Sequence, residues 1–143
     1  MGHVTLAIDP GKDTGLAFFR GARLVGVQLV DGADPPRIGG IDAIVCEIPH
    51  AGDGRATKSD IITLSVRAGL AIGAARAPGV TLRLVTPADW KGQLPKDVSH
   101  ARTLGLLDAQ ERSVLDAALG KIPRGQRHNI LDAVGIGIWA LGR

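Results

Sequence analysis

Twice in this chain an apolar run ends in a single carboxylate and is cut off by proline: "TLAIDPG" at Thr5–Gly11 and "IVCEIP" at Ile44–Pro49. Leu6, Ala7 and Ile8 have no polar residue between them to hold one face at a surface, so they read as a strand buried within a sheet. Asp9 and Glu47 then stand where each strand leaves the core. A charge in that position is costly unless it is paired or bound to a cation. For either acid alone, a turn cap or an ion pair with a nearby Lys or Arg is sufficient explanation. Two acids in the same setting are harder to dismiss, and on adjacent strands they would share one crevice.

The bulk of the sequence restricts what could surround such a crevice. With 143 residues, 45% of them hydrophobic, the chain can build the core of one domain but not comfortably of two. Two Phe, two Trp and no Tyr leave Val, Ile, Leu and Ala to fill that core, and argue against base-stacking platforms for single strands. The net charge of +3 suits a polyanionic partner without requiring one. Cys46 has no second cysteine to pair with, and neither a signal pattern nor a bilayer-length apolar stretch is evident. The expectation is a cytoplasmic protein without a membrane partner.

Three apolar segments, His3–Ile8, Thr14–Phe19 and Arg23–Val30, are joined by short glycine-containing links and predict antiparallel hairpins. A fourth strand is expected over Ile41–Pro49 and a fifth over Val80–Val85. Between them a helix is expected from Asp60 to about Ala77, with Ser59 as its N-cap. "TPADWKGQLPK" reads as a basic connector. Helices follow at Asp97–Leu107, at Ala109–Leu119 with Asp108 as N-cap, and at His128–Leu141. The pattern predicts a mixed α/β domain spanning residues 1–143, its early strands antiparallel.

In the last helix Leu131, Val134, Ile138 and Leu141 recur at helical spacing and predict the core face. His128, Asn129 and Asp132 fall on another face, where residues three and four apart are neighbours. Either that face is simply solvated, or Asp132 joins the other two acids.

Taken together, "IDPGKDTG", "VCEIP", "RAGLAIGAA", "WKGQLPK" and "HNILDAVGIGIWAL" resemble, in order and nearly end to end, the RuvC-like Holliday junction resolvases of phage type, within the ribonuclease H-like superfamily. The resemblance implies a ribonuclease H-like α/β fold: a mixed five-stranded sheet, its first three strands antiparallel, flanked by helices. It implies an endodeoxyribonuclease that hydrolyses paired phosphodiesters at a four-way junction, leaving 5′-phosphate and 3′-hydroxyl ends. Asp9, Glu47 and Asp132 correspond to the family's metal-binding carboxylates, around two Mg or Mn ions about 3.5–4 Å apart. For the fourth ligand, the family's register gives Asn129, whose amide oxygen suits a hard cation. The chemically better ligand is His128, and both are retained. Cys46, inside its strand, is expected to pack.

Basic residues gather in the connectors. Arg55 and Lys58 follow Glu47, Lys91 and Lys96 punctuate "WKGQLPK", and Lys121, Arg124 and Arg127 precede the last helix. Each alone is most simply a solvated side chain; together they suit phosphate contacts, which position a duplex without reading its sequence. Lys91 and Lys96 match the family's basic connector. His50 stands where the family often carries a junction-opening aromatic, and Trp90 is the nearest aromatic, or a core residue. The resemblance also implies a homodimer, since two related strands need two active sites. A stripe of Ser65, Gly69 and Gly73 offers close approach, to another chain or to the sheet. Three other readings stay open. One is a less selective nuclease of flaps, forks or RNA–DNA duplexes. Another is a dimeric junction-binding module without catalysis. "AIDPGKDTG" is also similar to the first phosphate loop of actin-like ATPases and sugar kinases. That fold needs two such domains, so no nucleotide cofactor is expected.

Overall fold

The computed structural model describes residues 2–50 and 56–143. Its five strands are β1 (Val4–Asp9), β2 (Asp13–Arg20), β3 (Arg23–Asp31), β4 (Ala43–Glu47) and β5 (Thr81–Val85). They form one sheet in the order β3-β2-β1-β4-β5. The first three strands pair as antiparallel neighbours, as the short glycine links require, while β1–β4 and β4–β5 are parallel. The parallel pairings need a crossover, and α1 (Lys58–Ala75) supplies it between β4 and β5. After β5 come the four-residue α2 (Pro87–Trp90), then α3 (Lys96–Gly105), α4 (Ala109–Leu119) and α5 (Arg127–Ala140).

Side chains alternate across a strand, and the two faces of this sheet collect separate cores. Leu6, Ile8, Leu16, Ile44 and Cys46 point to the α1 side, where Ala68, Ala71 and Ala75 meet them. Ala7, Ala17, Phe19, Val45 and Val85 point to the other side, beneath Ile130, Ala133, Val134 and Ile136 of α5. Burying each of the larger aliphatic side chains contributes about 1.5–3 kcal/mol, which makes this two-sided burial the main support of the fold. Cys46 packs as expected, and burial pushes its thiol pKa far up, so it stays an inert thiol.

Two local expectations need correction. The first helix is capped by Thr57, not Ser59, and runs Lys58–Ala75 rather than Asp60–Ala77. Thr57 has Asp60 three residues on, and the two exchange side-chain-to-backbone bonds at 3.1 and 3.0 Å. Ser59 would have Ile62 there, which cannot reciprocate. The last helix is not amphipathic in the expected sense. Ile130 and Asp132–Ile138 are all buried, and Leu131 and Leu141 only partly so, because the sheet covers one flank and α2 and α3 cover others. Of the two surroundings left open for Ser65, Gly69 and Gly73, the sheet is not the one they meet. They face outward.

Beyond the sheet, α4 and the chain's last described residue are fastened by one ion pair. Asp108 caps α4 as expected, in a reciprocal box with Glu111. Glu111 is only 1% exposed. It accepts hydrogen bonds from the Leu24 and Asp108 amides and from both terminal nitrogens of the Arg143 guanidinium, at 2.6–2.9 Å. Arg143 also donates to the Ala22 and Leu106 carbonyls. The Arg143 hydrogen bonds, with help from the two amides, hold the Glu111 carboxyl down at about 2. A depressed carboxyl pKa contributes stability that is complete above the unfolded value of ~4.3 and is lost as pH falls toward the folded one.

Replacing Arg143 with Ala leaves Glu111 two amide donors. It should therefore cost about 2–3 kcal/mol, below the ~3–5 of a buried charge stripped of every partner. Urea denaturation at neutral pH measures that loss, and the gap between variant and wild type should narrow as pH falls from ~4.3 toward the folded carboxyl's range.

Candidate active site

Asp9 and Glu47 end neighbouring parallel strands, each one residue beyond the paired Ile8 and Cys46. Alternation decides their direction. Ile8 and Cys46 face α1, so the acids that follow them are turned to the α5 side, with Ala7 and Val45. That is the side on which Asp132 lies, only 7% exposed, so the alternative of a solvated helix face is excluded for this residue. Glycines let α5 come that close, Gly137 against the Phe19 ring of β2 and Gly15 beside the acids. Gly15, paired with Asp9 across the hairpin, lies so close to α5 that a Cβ there would sit 2.1 Å from the Asn129 carbonyl oxygen. Any other residue would push the first turn of α5 off the sheet, and Asp132 with it.

The three carboxylates feel one another. Burial raises the Asp9 carboxyl well above its usual range, and the charges of Glu47 and Asp132 raise it further, with Lys91 and Lys96 opposing them. Burial raises Glu47 too, a shift countered by a hydrogen bond from Trp90 and by Lys91 and Lys96. Among the described residues, the Asp9 side chain has no hydrogen bond or ion pair, and no side-chain oxygen is sealed from solvent without a partner. Asp9 is thus a carboxylate kept under repulsion and open to an incoming ligand.

The segment after β5 supplies the partners. Trp90 is core rather than a solvent-facing aromatic, with its ring against Gly135 where a Cβ would come within 2.6 Å of it. Its indole N–H donates to Glu47 Oε2 at 2.5 Å. Lys91 and Lys96, from the same segment, act on both Asp9 and Glu47. His100 of α3 lies 2.8 Å from Asp132, Nε2 to Oδ1. Sequence reasoning found the two lysines but missed Trp90 and His100 as partners of the acids. The available signal was helical spacing, since His100 lies four residues beyond Lys96 on one face of α3.

The other expected site residues are placed less centrally. His128 and Asn129 are half-buried in the first turn of α5. Among the described residues neither side chain bonds to the acids, and Asp132 takes its imidazole from α3 instead. Arg127 donates through Nε to the Ile122 carbonyl at 3.0 Å. Lys58, Lys121, Arg124 and His50 are exposed, while Arg55 lies outside the described residues.

Whether divalent ions suit this place turns on the donor set. Carboxylate oxygens are the preferred ligands of Mg and Mn, and the mutual repulsion felt at Asp9 is the charge imbalance that a cation would relieve. Among the described residues, no group of three or more His, Cys, Asp or Glu side chains forms a ready-made cage. The donors fit in kind and charge, and repelling carboxylates have no reason to draw together by themselves.

Comparison with solved structures gives Thermus thermophilus RuvC in complex with a Holliday junction substrate, at a TM-score of 0.54 and 18% identity, over 95% of this chain and 90% of that one. A second T. thermophilus RuvC structure gives 0.49 and 18%, over 94% and 91%. No protein-family model and no curated protein matches the sequence. At such low identity the likeness concerns the fold, and the fold is that of RuvC: a ribonuclease H-like mixed five-stranded sheet flanked by helices. No helix among the described residues is long and apolar enough to cross a membrane.

Because the folded protein binds a proton at Asp9 more readily than the unfolded chain does, stability from this group falls as pH rises above the unfolded range. Asp9→Asn should therefore melt higher than wild type at neutral pH in the absence of divalent ions. A gain of roughly 2–4 °C corresponds to about 1 kcal/mol. Calorimetry should show the difference shrinking as pH falls toward 4 and Asp9 takes up its proton.

Proposed function

We propose that residues 1–143 form a single nuclease domain, a divalent-metal-dependent endonuclease that resolves four-way DNA junctions by paired hydrolysis to 5′-phosphate and 3′-hydroxyl ends. The observation that carries this reading is the convergence of Asp9, Glu47 and Asp132 on one face of the sheet, with Asp9 left without a hydrogen-bond partner among the described residues. The RuvC fold, in a neighbour solved with a Holliday junction substrate, supports the same conclusion.

Asp9 and Glu47, with Asp132 across from them, would hold two Mg or Mn ions. Bound there, such ions supply the charge that activates a water and stabilises the departing oxygen. The chain's own residues do the rest. The Trp90 N–H fixes the orientation of Glu47. Lys91 and Lys96 already offset the acids' charge and can meet the scissile phosphate beside them. Lys58, Lys121 and Arg124, exposed on flanking elements, suit the backbone phosphates of the arms. Arg55, His50 and the free N–H groups of Arg127 are assigned the same task, and His128 or Asn129 is kept as a fourth ligand. Such a protein would work in the cytoplasm, where a phage-encoded resolvase meets its DNA.

On a labelled synthetic junction, wild type with Mg or Mn should give symmetric paired nicks, and Asp132→Asn should lose at least about 10²-fold in rate while still binding. Cleavage of flaps or RNA–DNA duplexes at equal rate would favour the less selective nuclease. Tight junction binding without cleavage in either metal would favour a non-catalytic module.

A junction has two-fold-related strands to cut, and α1 leaves a face on which a second copy could pack. Ile62, Val66 and Leu70 are 63%, 55% and 42% exposed, in a row four residues apart, beside the small Ser65, Gly69 and Gly73. A homodimer through this face accounts for apolar residues that the sheet does not use. Sedimentation should show wild type as a dimer and Val66→Glu as a folded monomer; a dimeric Val66→Glu protein would place the interface elsewhere.

A further inference from the structure

Past the polar first turn of α5, Asp132 lies in a stretch that is otherwise apolar and mostly buried, yet its carboxylate has one direct partner among the described residues, the imidazole of His100. The side chains are 10% and 16% exposed and meet at 2.8 Å, from two different helices. When the carboxylate is ionised it can only accept, and the contact then places the hydrogen on Nε2, donated to Oδ1. That uses one carboxylate oxygen and leaves Oδ2 without a hydrogen bond among the described residues.

The terminal torsion of an aspartate is broad and nearly two-fold, so an unanchored Asp132 would turn freely beside two acids that repel it. A donor fixed on Oδ1 removes that freedom. The donor itself is held, because Ser99 and Thr103 on either side of His100 are buried. Lys96, one turn earlier on α3, acts on Asp9. One helix thus brings a positive charge to the acid on β1 and a hydrogen-bond donor to the acid on α5.

We infer that His100 is the positioning residue for Asp132: its Nε2–H holds the carboxylate so that the free oxygen is presented to a divalent cation shared with Asp9 and Glu47. The inference rests on the nuclease reading for the identity of the ligand, and on the geometry for the role of His100. It differs from a buried polar pair that serves stability alone, because the orientation of Asp132 matters only to what binds there.

The test uses the DNA-free protein, with Mn²⁺ as the probe in calorimetric titrations of wild type, His100→Ala and His100→Gln. Loss of a hydrogen-bonding partner behind a metal ligand weakens metal binding by about 10–100-fold, and that is the fall expected for His100→Ala. The glutamine amide can donate from nearly the same place, so His100→Gln should recover most of the affinity. In junction cleavage at limiting Mn²⁺, kcat should follow the metal affinity while KM for the junction stays unchanged. An Ala variant that binds Mn²⁺ like wild type overturns the inference, and so does a Gln variant as impaired as Ala. The contact is read separately from ¹⁵N spectra of the imidazole in the ion-free protein. A ring protonated on Nε2, with that preference abolished in Asp132→Ala, supports it; a ring protonated on Nδ1 overturns it. A wild type that binds no Mn²⁺ but keeps the Nε2–H signature removes the nuclease reading and upholds the contact.

Discussion

The seating of α5 on the β1–β2 face is the contact on which the rest of this protein depends. It closes the larger of the two cores, with Ile130, Ala133, Val134 and Ile136 against Ala7, Ala17 and Phe19. It also carries Asp132 to the ends of β1 and β4. Both results need α5 close to the sheet, and Gly15 opposite Asp9 and Gly137 against Phe19 are two places that allow it. Core formation and site assembly are therefore one event. A substitution that lifted the helix would weaken the fold and separate the acids together.

The site that results works against the stability of the fold. Three carboxylates near one another, two of them only 7% exposed, raise the protonation tendency of Asp9. Proteins keep such local costs where function needs them, and aliphatic burial elsewhere offsets them. The short segment from Trp90 to His100 moderates the cost. It gives Glu47 an indole donor, Asp132 an imidazole and Asp9 two nearby positive charges, yet among the described residues Asp9 has no direct bond. An inward cluster fully neutralised by protein groups would have no affinity left for cations.

Much of the architecture was legible because it is written in local chemistry. Glycine links announced the antiparallel strands, and Asp108 with Glu111 three residues on announced a helix start. Asp9 and Glu47 were visible as charges ending buried strands. Where the reading went astray, the cause was either a local partner overlooked or a tertiary neighbour. Ser59 reads as the cap only while the reciprocating Asp60, three residues beyond Thr57, is left out of account. The core face of α5 was drawn for a helix with one buried side, whereas α2 and α3 cover further sides. Ser65, Gly69 and Gly73 suited the sheet and a second chain alike, since small residues allow close approach to either.

By itself, the sequence determined which segments become strands and helices, and that two acids would stand at strand ends, because periodicity, turn residues and the cost of an unpaired charge act within a few residues. Only the tertiary structure decided that β1 and β4 lie side by side, that Asp9 and Glu47 turn to the α5 face, and that Asp132 is buried beside them. It alone chose His100 over His128 as the imidazole on Asp132, although His128 is the nearer along the chain. The physical reason is that a side chain's partner is set by which helix packs across from it, and packing joins residues that the chain order keeps apart.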